Sequence, residues 1–125
     1  MRPFLRSIVF ALGLSTATSS VAQAFSIMST PVTSVPPTSR FYCAFTNLSS
    51  RPLAVSIFVI DQNDNIQSQS HYAAVLASQS VVFRTDNLLG FNRCVFDFQG
   101  SAKFVRAVAQ VTDVDDMPQA TVPAN

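Results

Sequence analysis

The chain of 125 residues has no tryptophan, no glutamate, one histidine, two cysteines and three glycines, and its charged residues make up only 12%. These shortages narrow the functions open to it. With His71 as the only histidine, a Ser, His and Asp hydrolytic set has one candidate base, and no G-x-S-x-G elbow accompanies it. His71 stands next to Tyr72, between Ser and Ala residues, where a surface or hairpin position is the ordinary reading. Every acidic residue is Asp, and most fall in predicted turns, so the facing carboxylate pair of a glycosidase is not apparent. Asp97 is the exception, on a predicted strand but on the face opposite the cysteine. Two distant cysteines and a lone histidine are too few for a metal centre, and their spacing is not the C-x-x-C of a redox pair. No cofactor is expected.

Basic residues are also scattered singly, without the clustered footprint of a nucleic-acid binder. No apolar run approaches the roughly 20 residues that span a bilayer. The run that exists, Ser7 to Leu14, follows Arg2 and Arg6 and precedes small and polar residues ending Ala22, Gln23, Ala24. This order predicts a signal peptide over residues 1–24, cleaved after Ala24, with an uncleaved anchor as the lesser alternative. No Cys follows that site, so a lipid anchor is not expected. The product is then soluble, in the periplasm or outside the cell. Without Arg2 and Arg6, six basic residues face seven Asp, for a formal charge of −1.

Both cysteines lie beyond the signal, in an oxidising compartment if the chain is exported, and an even count predicts the pair Cys43–Cys94. Residues 25–39 are rich in Ser, Thr and Pro and read as a tether or a loosely attached first strand. From Arg40 to the end, apolar residues recur with period two. Phe41, Cys43 and Phe45 share one face, and Cys94, Phe96 and Phe98 repeat the pattern later. Leu53 to Ile60 is a nearly continuous apolar run rich in β-branched residues, Val81 to Thr85 a short strand, Lys103 to Thr112 another, and Ala120 to Ala124 an edge strand because of Pro123. Ile66 to Ser70 returns as a hairpin strand, while His71 to Ala77 fits strand, loop or helical turn. The fold class expected is all-β: one antiparallel sandwich of six or seven strands over 40–125, with the disulfide buried between layers.

Five further features have bland and functional readings. Asp61, Asn63 and Asn65 match the start of a calcium loop, but Ile66 stands where Gly is needed and Tyr72 where the bidentate Glu belongs, so a hairpin turn is expected. Asp113, Asp115 and Asp116 form an acidic turn that can gather a cation, with solvation as the simpler reading. Asn47, Leu48 and Ser49 spell a glycosylation sequon, meaningful only in a eukaryotic secretory route. Met28 and Met117 are too few for copper handling. Leu88, Leu89 and Phe91 sit in a predicted loop, where they either cap the core or form an exposed partner patch, the cap being favoured.

The runs YCAFTNLSS, RCVFDF and KFVRAVAQV resemble those of small, uncharacterised exported bacterial domains that are loosely immunoglobulin-like. The resemblance implies a β-sandwich and the same cysteine pairing, and it supplies no functional residues. An immunoglobulin domain would also carry a core tryptophan. The expected function is non-enzymatic binding of a protein or envelope component, with inhibition of a secreted hydrolase as the alternative. A surface-fibre subunit is a third reading, weakened by a terminus that lacks an alternating apolar strand, and an enzyme is the least favoured.

Overall fold

The computed structural model describes residues 25–113, 115 and 117–125, so the predicted signal peptide lies outside the described residues. Nine strands follow in order: β1 (Phe25–Ser29), β2 (Thr33–Val35), β3 (Arg40–Asn47), β4 (Leu53–Asp61), β5 (Ile66–Val75), β6 (Ser80–Asp86), β7 (Gly90–Gln99), β8 (Val105–Thr112) and β9 (Pro118–Pro123). A 3-10 turn, Ala102–Phe104, precedes β8. All pairings are antiparallel, in two sheets of order β1-β7-β4-β5, with β2 extending the β1 edge, and β9-β8-β3-β6. The expected sandwich is present. Among the described residues no helix is long and apolar enough to cross a membrane.

The strand count exceeds the six or seven expected because of the segment before Arg40. The Ser/Thr/Pro segment supplies β1 and β2, whose prolines fall between the strands or after them, leaving Phe25 to Ser29 free to pair with Gln99 to Val95. His71 to Val75 continues the hairpin strand begun at Ile66.

Period-two alternation builds the core. Phe41, Cys43 and Phe45 point inward from β3, Val55, Ile57 and Val59 from β4, and Cys94, Phe96 and Phe98 from β7. Phe45 packs against Phe96 and Phe98 at ring separations of 6.0 and 5.2 Å. Ala107 and Ala109 sit beside Phe45 and Cys43 in the sheet, and their small side chains leave room for the rings. The Cys43–Cys94 disulfide joins the two sheets at the centre, Cα to Cα 5.8 Å, with both cysteines buried.

The strand order also reveals a repeat. β3 lies in one sheet, the chain crosses over, and β4–β5 form a hairpin in the other; β7, β8 and β9 do the same with the sheets exchanged. Each unit carries C-x-F on its first strand, at Cys43 and Cys94. Each turns its hairpin on D-x-[ND]-D-x-x-Q, at Asp61 to Gln67 and Asp113 to Gln119. The disulfide links the two first strands. The two crossovers meet at one end of the sandwich, called the crossover end below, and the two Asp hairpins lie at the other, the turn end.

Candidate functional site

The crossover end carries a cleft of about 540 Å³, within the range of small-ligand and peptide pockets. Residues 48–53 of the first crossover form one wall, and residues 99–101 with Phe104 form the other. Its shape follows from a few local bonds. Asn47 is fully buried, and its Nδ2 donates to the carbonyls of Arg51 (2.6 Å) and Val75 (2.8 Å). Its Oδ1 accepts from the backbone N–H and hydroxyl of Ser49, so one amide fixes the first crossover against the end of β5. The Leu48 N–H then donates to the Phe104 carbonyl at 2.8 Å, tying the walls together. In the second wall Gly100 has φ +129°, which L side chains rarely adopt, and a Cβ there would press on Leu53 Cδ2 at 3.3 Å. The Ser26 hydroxyl donates to the Gly100 carbonyl.

The cleft exposes apolar side chains at a fixed place. Leu48 and Phe104 are 49% and 50% exposed. Arg51 lies in the wall, Lys103 Nζ sits 5.9 Å from the Phe104 ring centre, and no carboxylate lines the cleft.

The loop singled out in the sequence divides. Leu88 is buried in the core and acts as the expected cap, whereas Leu89, at 71% exposed, projects from the turn end. Phe91, half exposed, is the second residue of β7 rather than part of the loop. Left-handed Asn87 and Gly90 frame the turn, and Asn92 Nδ2 donates to the Leu89 carbonyl at 3.3 Å. The three residues therefore make neither a common cap nor a common patch.

Asp61 takes the turn reading. Its Oδ1 accepts from the N–H groups of Asn63 and Asn65, both 2.9 Å, and its Oδ2 from Gln67 Nε2. The Asn65 bond is the main reason its pKa lies below the ordinary aspartate value. Asp113 repeats the device, accepting from the N–H groups of Asp115 and Met117 and from Gln119 Nε2. Both carboxylates are occupied by their own turns; Asp116 lies outside the described residues. Among the described residues no group of three or more His, Cys, Asp or Glu side chains is placed to hold a metal. The sequon asparagine is unreachable, since both faces of the buried Asn47 amide are bonded inside. Met28 belongs to the core and Met117 is exposed.

His71 lies exposed on the outer face of β5, with Nδ1 2.9 Å from the Ser56 hydroxyl, a contact set by the β4–β5 register. Asp97 is the cross-strand neighbour of Ser56 on its other side. The row runs Asp97, Ser56, His71, which puts the carboxylate next to the hydroxyl rather than behind the imidazole, where a triad needs it. Only shallow hollows lie beside the row. The row therefore behaves as a polar ladder on a solvated sheet face.

Sequence reasoning missed the cleft, the Asn47 clamp and the Ser56–His71 contact. The paired C-x-F and Asp-turn motifs were the written signals that marked the repeat, and hence the meeting of the two crossovers. Comparison with known proteins adds no analogue: no protein-family model, curated protein or solved structure matches the chain.

Proposed function

We propose that this chain is an exported, non-catalytic binding module that grips a polypeptide segment in the cleft between its two crossovers. The observation that carries the reading is a prearranged cleft with apolar walls (Leu48, Pro52, Leu53, Phe104) and only cationic charge, from Arg51 and Lys103. Such a site suits an apolar side chain flanked by carboxylates, since apolar burial supplies affinity and complementary charge steers and orients the encounter. Rigid walls lower the ordering cost of binding. Export is supported by the Arg2 to Ala24 pattern and by a buried disulfide, which persists in oxidising compartments.

The test is a photo-crosslinking phenylalanine analogue at position 104, with the same analogue at position 71 as control, in cells expressing the full chain. Protein adducts at 104 and none at 71 are expected; a chain that gives no adduct at 104 contradicts the proposal. A second reading, inhibition of a secreted hydrolase, is favoured by the rigid turn that presents Leu89. It requires inhibition within a panel of proteases and lysozymes that Leu89→Asp abolishes, and a silent panel removes it.

A further inference from the structure

We infer that the partner held in the cleft is the turn end of a second copy of this chain, so that molecules associate head to tail. The inference rests on the cleft being a protein-binding site and names its occupant. β7 runs ten residues from Gly90 at the turn end to Gln99 at the cleft, which separates the two ends by roughly 30 Å and points them in opposite directions.

The ends are complementary in charge. At the crossover end Arg51 and Lys103 border the apolar walls, with no carboxylate among the lining residues. At the turn end Asp64 and Asp86 are bridged to Arg93 and Arg84, at 2.9 and 3.0 Å. The same end also carries Asp61, Asp113 and Asp115, with Arg40 as its one further cation among the described residues. Leu89 is exposed at the same end, next to buried Leu88 in the chain and with its carbonyl bonded by Asn92. An exposed leucine on an end with an excess of carboxylates is the kind of surface the cleft suits. A contact between two different patches of one chain is heterologous, so it extends into rows instead of closing as a two-fold dimer. One leucine and a ring of charges bury less than a standard interface, so the association is weak and sensitive to salt.

Sedimentation velocity of the purified protein tests this. The weight-average sedimentation coefficient rises between about 10 µM and about 1 mM at low salt, as weak association requires, and falls back when salt screens the charges. Leu89→Asp and Phe104→Ser each weaken association at least tenfold. An equimolar mixture of the two variants restores one contact, because the first keeps its cleft and the second its leucine, and it stops at a dimer. That capped dimer also shows that both variants are folded. Wild type that stays monomeric, a mixture that stays monomeric, or association that survives both changes overturns the inference. Adducts from position 104 on another protein, beside a monomeric wild type, overturn the self-partner and leave the binding reading standing; absence of any adduct overturns both.

Discussion

The two ends of this sandwich are closed by different chemistry, and the difference separates stability from recognition. At the turn end each Asp carboxylate bonds backbone N–H groups of its own hairpin, so the loops satisfy themselves and leave negative charge facing water. At the crossover end one buried amide, Asn47, holds three chain segments together while the side chains above it stay apolar and unpaired. The first arrangement is local and survives damage to its neighbours. The second is shared, so its loss spreads.

The disulfide lies between the two ends and joins the sheets, and removing it should have the largest effect. It spans 51 residues, so the double change Cys43→Ala with Cys94→Ala should cost about 4 kcal/mol in the chain-entropy account, measured by denaturant unfolding. Next comes Asn47→Ala. It takes the amide donor from the Val75 carbonyl, leaves the Arg51 carbonyl with only the Ser49 hydroxyl, and empties a fully buried position, and we expect a loss of about 3 kcal/mol. Hydrogen exchange should rise first in residues 48–53 and 76–79 and leave the Asp hairpins protected. Equal exchange at both ends would break the comparison.

Within the turn end, adjacent leucines give a sharper contrast. Leu88→Ala removes a buried core side chain and should cost about 2 to 3 kcal/mol, whereas Leu89→Ala should stay within about 0.5 kcal/mol of wild type in thermal unfolding. The smallest effect concerns pH. The folded pKa of Asp61 is lowered, chiefly by the Asn65 N–H, so its contribution is present above the unfolded value near 3.8 and lost as pH falls toward the folded one. Unfolding measured from pH 6 downward should therefore decline slightly more steeply below 3.8 in wild type than in Asp61→Asn, which keeps the two N–H bonds without the titrating group.

The fold was legible where one face is apolar and the other polar. Phe41, Cys43, Phe45 and Cys94, Phe96, Phe98 announced two facing strands and the disulfide between them. β5 was not legible, because its inward positions include Ser68 and Ser70, which carry no hydrophobic period. β1 and β2 were obscured by prolines that punctuate the segment without interrupting either pairing. Asn47 reads as a turn residue, and only the fold shows that its amide is buried. The cleft has no local signature at all: its walls lie some 50 residues apart and meet because the crossovers of a repeated unit converge. The Ser56–His71 contact likewise depends on register, which composition does not specify.

The most direct test of the difference between the ends is residue-resolved: backbone amide NMR spectra of the protein recorded from dilute to concentrated solution at low salt. The account predicts concentration-dependent shifts at Leu48, Arg51 and Phe104 on one end and at Leu89 and Gly90 on the other, with Ser56 and His71 on the outer sheet face unmoved. Shifts centred on Ser56 and His71, or none at the cleft at any concentration, would contradict it.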